Sequence, residues 1–157
     1  KVFEYVEINQ SGTYIDPGYN SYFEDGTKNS NVNTEIYNID EDKIVANIPL
    51  NKVAKYYIKY TWHDSTNNLI NIAYRTVIVR DTTPPELIVP ADSTLTISEV
   101  SSFNLNAGVS ATDNSGKTPQ IITDGSVLAV PGRYTITYTA KDDSGNETIK
   151  KRIITVQ

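Results

Sequence analysis

Strict alternation of apolar and polar residues is the feature that most constrains how this chain of 157 residues folds. In the segment RYTITYTAKD, the apolar and aromatic side chains fall on one face of an extended strand: Tyr134, Ile136, Tyr138 and Ala140. The segment KYYIKYTWHD repeats the pattern with Tyr56, Ile58, Tyr60 and Trp62. A period of two residues is typical of an antiparallel strand with one buried face, and no helical pattern exceeds two turns. The sequence therefore predicts an all-β protein.

Short apolar segments bounded by turn residues fill much of the remaining chain. RTVIVR, ELIV, TLTI and KRIITV are rich in β-branched residues and are bounded by Asp, Asn, Gly or Pro. About seven strands are predicted in each half of the chain, at roughly the 8 to 12 residue spacing of a β-sandwich. The alternating apolar faces of two sheets would then form the core of each half.

The chain contains an internal repeat, with similar residues in the same order in its two halves. Five residues of the first half, Tyr56, Tyr60, Thr61, Asp64 and Asn68, recur 78 positions later as Tyr134, Tyr138, Thr139, Asp142 and Asn146. The segment RTVIV then matches RIITV 77 positions later. Between the copies lies DTTPPE, where proline cannot donate to a strand ladder and keeps the preceding residue extended. We therefore predict two domains, residues 1–80 and 81–157, joined by a short, stiff connection.

Composition excludes several classes of function. The chain has 14 basic and 19 acidic residues, and the acidic excess occurs in both halves, so neither nucleic acid nor an anionic membrane surface is an expected partner. Without cysteine, the chain has neither disulfides nor a thiolate zinc site. No apolar run approaches the ~20 residues that span a bilayer. A start at Lys and the lack of methionine suggest a piece of a longer protein, with flanking domains as its partners.

The second half carries the motifs of a known family. DTTPPELIV, GVSATDNSGK and VPGRYTITYTAKDDSGNETIKKRIITV closely resemble bacterial Ig-like surface-protein domains, which occur as tandem repeats. The first half resembles a diverged copy through YIDPGYNSYFEDG and YYIKYTWHD, although KVAKYY lacks the Pro-Gly of the second copy and DSTNNL replaces DSGNET. The resemblance implies two tandem immunoglobulin-like β-sandwiches that serve as a spacer or binding module on an extracellular protein, without catalytic activity.

No catalytic constellation is predicted. His63, Asp64 and Ser65 contain the residue types of a hydrolase triad. Consecutive residues of a strand or its turn point in different directions, so these three cannot form a relay of nucleophile, base and orienting acid. Phosphate-binding glycine loops are also missing, and the single histidine has no second histidine or cysteine with which to bind zinc. We expect no enzyme activity and no cofactor.

Calcium is the one metal for which the chain offers suitable oxygens. The candidate ligands lie around the predicted domain junction and in two turn segments: Asp81, Glu86, Asp113, Asn114 and Asp142. Calcium needs roughly six to eight oxygens, and these residues do not follow a recognisable ligand spacing. In DDSGN the aspartate and asparagine are also typical of a turn, where their side chains bond the backbone. A turn role is therefore favoured, with junction calcium as the alternative.

Aromatic residues are distributed unevenly. All tyrosines except Tyr134 and Tyr138, nine of eleven, precede Asp81. Those whose alternation does not assign them to the core are candidate ligand contacts: Tyr5, Tyr19, Tyr22, Tyr37 and Tyr57. Stacking aromatics bind sugars or proline-rich peptides, so a recognition module is one hypothesis.

Two functions therefore compete. The leading expectation is a structural spacer in a larger extracellular or cell-surface protein, where it positions other domains. The alternative is an adhesion module that binds a glycan or a protein through the tyrosine-rich first domain. A flat, contiguous cluster of exposed aromatic rings would favour binding, whereas inward-pointing rings would favour the spacer.

Overall fold

The computed structural model describes residues 2–9, 11–23, 25–63 and 70–157. The chain forms two compact units, which we call the first unit, Lys1–Asp81, and the second unit, Thr82–Gln157. Within the described residues the regular structure is β, apart from one 3₁₀ segment at Ile97–Ser102. None of the helical structure in these residues is long and apolar enough to cross a membrane. The prediction of an all-β protein is confirmed.

The first unit is built around one five-stranded sheet. Its strands are β1 (Val2–Glu7), β2 (Ser21–Tyr22), β3 (Lys28–Asn29), β4 (Asn33–Asn38), β5 (Lys43–Val45), β6 (Ala54–His63) and β7 (Ile70–Arg80). The large sheet has the order β1-β7-β6-β4-β5, while β2 and β3 form a separate short hairpin. β1 pairs with β7 in parallel, and the other pairs of the large sheet are antiparallel.

One face of this sheet forms the core of the first unit. Tyr56, Ile58 and Tyr60 of β6 are fully buried, as their alternation predicts. Val77 and Val79 of β7 complete this buried face. Side chains that pack against it come from the connecting segments: Ile8, Tyr14, Val32, Ile48 and Leu50. On the opposite face of the sheet, several large side chains are exposed, among them Phe3, Ile44 and Tyr74.

The second unit has two sheets. Its strands are β8 (Glu86–Ile88), β9 (Ser93–Leu95), β10 (Ser110–Thr112), β11 (Gln120–Asp124), β12 (Gly132–Lys141) and β13 (Glu147–Val156). One sheet has the order β11-β12-β13-β9, and the other pairs β10 with β8. Leu87 of the smaller sheet joins a buried cluster whose other members are Leu95, Ile136, Tyr138, Ala140 and Ile154. Tyr138 is fully buried in this cluster, whereas Tyr134 and Phe103 are partly buried and pack against it.

Candidate ligand-binding face

A row of large side chains crosses the outer face of the first unit's sheet. Cross-strand register aligns one residue from each strand, from β1 to β5: Phe3, Thr76, Tyr57, Tyr37 and Ile44. Because side chains alternate across a strand, these residues point away from the buried face. Phe3 is 55% exposed and Ile44 is 62% exposed. The exposed side of this sheet is therefore aromatic and apolar along the row, where an antiparallel sheet facing water is usually polar.

Three tyrosines of this face contact one another. The rings of Tyr37 and Tyr57 stack with centroids 4.9 Å apart, and Tyr74 meets Tyr57 edge-on at 5.6 Å. Both geometries are favourable for aromatic pairs because the ring edges are positive and the faces negative. The hydroxyl of Tyr37 donates a hydrogen bond to Asp42. This bond to a carboxylate raises the pKa of Tyr37 to about 12, so the phenol stays protonated at neutral pH.

A groove with a volume of about 640 Å³ runs along this face. Its lining residues come from β1, β6, β7 and the turn after β4: Phe3, Ile39, Lys55, Tyr57, Tyr74, Thr76 and Ile78. Thr76, which is 6% exposed, lies between the larger Phe3 and Tyr57 in the register. A short side chain between two rings leaves a depression that follows β7. The outer face is thus grooved, with aromatic walls and a hydroxyl-bearing residue between them.

Among the described residues that line this groove, the ammonium of Lys55 is the only formal charge. Lys55 precedes Tyr57 by two positions on β6 and lies opposite Ile78 of β7. Its backbone N–H donates to Asp40 Oδ2 at 2.8 Å. None of the ion pairs found among the described residues involves its ammonium. A ligand anion in the groove would therefore meet an uncompensated cation.

The five candidate tyrosines do not form one cluster. Tyr37 and Tyr57 stack in the row, and Tyr5 is exposed on the same face with the guanidinium of Arg80 4.8 Å from its ring centroid. Tyr22 lies on the separate β2–β3 hairpin. Tyr19 stacks on Tyr60 and Trp62, whose rings belong to the inner side of the sheet.

Sequence reasoning missed several groove residues. Alternation along β7 places Tyr74 on the same face as Thr76 and Ile78, opposite the buried Val77 and Val79, so this signal was present in the sequence. Phe3 carries no such signal, because its place beside Thr76 depends on the parallel pairing of β1 with β7.

The candidate calcium ligands have mixed surroundings. In the second unit, carboxylate oxygens of Asp113 and Asp142 lie within 4.8 Å of each other. Asp142 Oδ1 accepts hydrogen bonds from the backbone N–H groups of Ser144 and Asn146, both at 2.8 Å. Asp113 Oδ2 accepts from Ser115, while its Oδ1 is buried without a hydrogen bond. These bonds are those of turn-forming aspartates.

Three further predicted ligands complete that set. Asp81 is buried at the end of the first unit, Glu86 is exposed at the start of β8, and Asn114 is partly buried in the loop after β10. The turn role and the calcium alternative both stay predictions.

Of the three consecutive residues with hydrolase-triad side chains, His63 is exposed at the end of β6. Asp64 and Ser65 lie outside the described residues.

Comparison with known proteins finds a family match for one segment of the chain. Residues 89–156 match the family model described as "Bacterial surface protein, Ig-like domain". This segment has the Ig-like fold of bacterial surface proteins. The Ig-like match covers most of the second unit, which confirms the resemblance there. The interpretation of residues 1–80 as a diverged Ig-like copy stays a prediction. No curated protein sequence matches the chain.

Some solved structures match the chain at low sequence identity and with TM-scores below 0.5. Drosophila N-cadherin EC1-4 has 10% identity and a TM-score of 0.41, and the match covers 99% of this chain but 48% of that one. The fibronectin(III)-like modules of Clostridium thermocellum CbhA have 16% identity and a TM-score of 0.32, with 99% and 90% coverage. Human CDH23 EC21-23 has 12% identity and a TM-score of 0.37, with 100% and 73% coverage. The chain thus spans about half the length of the N-cadherin structure.

Proposed function

We propose that this chain is a non-catalytic recognition segment of a larger bacterial protein, exposed at the cell surface or secreted. In this proposal it consists of two tandem Ig-like β-sandwiches, and the first binds a glycan through the groove on its outer sheet face. The Ig-like family match at residues 89–156 supports the surface location. The aromatic row across the first unit supports the binding role.

The aromatic row is the observation that carries the proposal. It contains one exposed ring, Phe3, and two partly buried rings, Tyr37 and Tyr57. None of them belongs to the core of the first unit, which lies on the other face of the sheet. At the position in the second unit that matches Tyr57, 78 residues later, the chain has Thr135. The outward positions of β12 that follow are also threonines, Thr137 and Thr139. Outward-facing aromatic rings of this kind are typical of a binding surface.

The position of the groove favours a glycan over an extended peptide. β7 forms its floor, and residues 75–79 of this strand pair with β1 on one side and with β6 on the other. The part of the floor that contains Thr76 and Ile78 therefore has no backbone groups free for strand addition. The groove presents aromatic ring faces, the hydroxyls of Tyr57, Tyr74 and Thr76, and the ammonium of Lys55. A pyranose ring has a matching surface, with C–H groups on its face and hydroxyls at its rim.

The lining of the groove also argues against catalysis. The titratable residues in the described part of its lining are Lys55, Tyr57 and Tyr74, and none of them carries a carboxylate. General acid and base catalysis of glycoside hydrolysis requires two carboxyl groups that flank the scissile bond. A glycan in this groove would be bound and released unchanged.

A glycan array probed with the whole fragment tests the proposal. We expect the wild type to bind a subset of oligosaccharides and the Tyr57→Thr variant, which installs the residue of the second unit, to lose about tenfold or more in affinity. Tyr22→Thr is the matched control, because Tyr22 is also exposed but lies on the β2–β3 hairpin. An array without any binding, or binding that survives Tyr57→Thr, would refute the proposed function.

A spacer without ligands is the second candidate. Its support is the Pro84-Pro85 connection, in which Pro85 is buried and its carbonyl accepts a 2.6 Å hydrogen bond from Thr148 within the second unit. An anchored proline limits the conformations of the chain that leads into this unit. If the protein binds no sugar on the array, the spacer function would be the better supported of the two.

A further inference from the structure

We infer that the groove of the first unit selects acidic oligosaccharides, with the ammonium of Lys55 binding an anionic group on a sugar whose ring stacks on Tyr57. This inference rests on the proposed function and adds the chemical class of the glycan to it. The anionic group is a carboxylate or a sulfate, since an ammonium recognises either as a point charge.

The spacing of Lys55 and Tyr57 suits this arrangement. They are two positions apart on one face of β6, which places their Cα atoms about 7 Å apart along the strand. A sugar ring on Tyr57 would project a substituent along the groove toward Lys55. The flexible lysine stem can follow such a substituent, and Ile78 and Ile39 provide apolar surface on which that stem can lie.

The ammonium of Lys55 differs from those of Lys43 and Lys52 in its ion pairing. Lys43 and Lys52 both form ion pairs with Glu41, at 2.9 and 2.6 Å. The nearby Asp40 bonds the backbone N–H of Lys55, and no ion pair to the ammonium is found among the described residues. A ligand anion would therefore gain a new charge-assisted contact without breaking an existing ion pair.

The apolar walls increase the effect of this cation. Once a ligand fills the groove, it displaces water from Phe3, Tyr57 and Ile78, and electrostatic attraction is stronger where water is excluded. A neutral sugar of the same shape would keep the ring stacking but would lack this attraction. A neutral sugar would also displace part of the water around the Lys55 ammonium, and it would not supply an anion in place of that water.

Lys59 provides a matched control. It lies on the same strand and the same face as Lys55, on the other side of Tyr57, but it does not line the groove. Substitution of either lysine by alanine removes one positive charge from the same sheet. A purely long-range charge effect would respond equally to both substitutions, whereas direct recognition would respond to Lys55 alone.

Calorimetric titrations with matched tetrasaccharides test the inference. The probes are β-1,4-linked glucose, its glucuronic acid counterpart and its 6-sulfated form, together with an octaproline peptide. We expect an acidic form to bind the wild type about tenfold more tightly than the neutral one. We expect this preference to disappear in Lys55→Ala, to persist in Lys59→Ala, and to weaken as salt is added. The carboxylate and sulfate arms identify which anionic group is preferred.

The outcomes separate the two proposals. Equal binding of acidic and neutral sugars through Tyr57, or an unchanged preference in Lys55→Ala, would overturn the acidic selectivity and leave glycan binding intact. Binding of none of these sugars and none on the array, or binding of octaproline in their place, would overturn both. Tyr57→Phe keeps the ring and removes the hydroxyl, so it is the second variant if Tyr57→Thr does not fold as judged by its unfolding curve.

Discussion

At the scale of single residues, the two units hold an arginine at matched positions in different ways. Arg152 is 6% exposed, donates to the carbonyl of Ala91 at 2.8 Å and lies 5.3 Å from the ring centroid of Phe103. Its counterpart 77 positions earlier, Arg75, donates to Glu4 at 3.0 Å and to the Tyr60 hydroxyl at 3.1 Å. Each guanidinium ties the last strand of its unit to other parts of that unit.

The Arg75 network should contribute measurably to the stability of the first unit. Burial alone would lower the pKa of Arg75, but hydrogen bonds to Tyr60 and Glu4 outweigh it, so the pKa is raised and the charge is permanent. We expect Arg75→Ala to lower the free energy of unfolding by about 2 to 3 kcal/mol, because Glu4 and Asp16 lose their cation.

Urea denaturation of the whole fragment measures this change. Arg75→Lys is the control that keeps the charge but not the forked geometry, and we expect it to restore only part of the loss. A cost below about 0.5 kcal/mol for Arg75→Ala would show that the network is no stronger than ordinary surface ion pairs.

Asp142 gives the second unit a defined dependence on pH. Burial would raise the pKa of this carboxyl, but the hydrogen bonds from Asn146, Ser144 and Gly145 outweigh it and lower the pKa below the ordinary value. A carboxyl whose pKa is lower in the folded state contributes stability above its unfolded pKa of about 3.9. That contribution is lost as the pH falls through the folded pKa.

The Asp142→Asn variant tests this assignment. At pH 7 we expect it to unfold about 1 to 2 kcal/mol more easily than the wild type, because the charged acceptor of the turn is lost. The difference should shrink as the pH falls below about 4 and through the lowered pKa of the folded carboxyl, where the wild-type side chain is itself protonated. Asp143→Asn is the exposed neighbour for comparison, and a pH-independent difference for Asp142→Asn would contradict the assignment.

At the scale of elements, the hairpins β6–β7 and β12–β13 form matched parts of the two units. In both hairpins the inward positions of the first strand are buried, including Tyr60 and Tyr138. Their hydroxyls find different acceptors, Asp16 Oδ1 at 2.7 Å and the Leu105 carbonyl at 2.7 Å. Threonines dominate the outward positions of β12, whereas β6 carries Lys55, Tyr57 and Lys59 there. One hairpin architecture thus supports two different outer surfaces.

The turn after β11 depends on a glycine. Gly125 has φ +108°, and a Cβ atom built there would lie 2.8 Å from the carbonyl oxygen of Thr135. We expect Gly125→Ala to destabilise the second unit by about 2 kcal/mol or more, since the substitution adds a clash to an unfavourable backbone conformation.

A second glycine separates the cost of the clash from the cost of the backbone conformation. Gly26 has φ +81° with no atom within 4 Å of such a Cβ, so Gly26→Ala reports the cost of conformation alone. Thermal unfolding of both variants measures the comparison. Equal costs for the two substitutions would show that the contact with Thr135 is relieved by a small shift of the strand.

At the scale of the whole molecule, the chain combines a unit with an aromatic outer face and a unit that matches a bacterial surface family. The described cores are separate, one centred on Tyr56, Ile58 and Tyr60, the other on Ile136 and Tyr138. Since each unit has its own core, a substitution on the outer face of the first unit should leave the second unit folded. This independence makes the Tyr57 and Lys55 variants interpretable.

The calcium prediction is tested on the whole fragment. We expect the thermal midpoint to stay constant as calcium is added, because an ion on Asp142 would compete with hydrogen bonds that its oxygens already accept from Asn146 and Ser144. Magnesium at equal ionic strength is the control. A midpoint that rises with calcium concentration would reveal a site that binds the folded state, as linkage requires.

Local pattern accounts for the part of the fold that the sequence predicts. The alternation in residues 54–63 and 132–141 assigned Tyr56, Ile58 and Tyr138 to buried faces, and the structure confirms this because strand side chains alternate regardless of which strands pair. Tyr37 and Tyr57 were candidates for the same reason, since their positions fall outside the buried faces. Tyr19 could not be assigned in this way, because its stacking on Tyr60 and Trp62 joins a connecting segment to a strand.

The amino-acid sequence by itself determined which side chains of each hairpin face inward, where the turns lie and which chemistry the chain lacks. Only the tertiary structure decided that β1 pairs in parallel with β7 and places Phe3 beside Thr76, and that the register of four strand pairs aligns one row across the sheet. The physical reason is the distance along the sequence over which each effect acts. Alternation follows from the geometry of each residue and its neighbours, whereas pairing between strands distant in sequence depends on burying the shared apolar face.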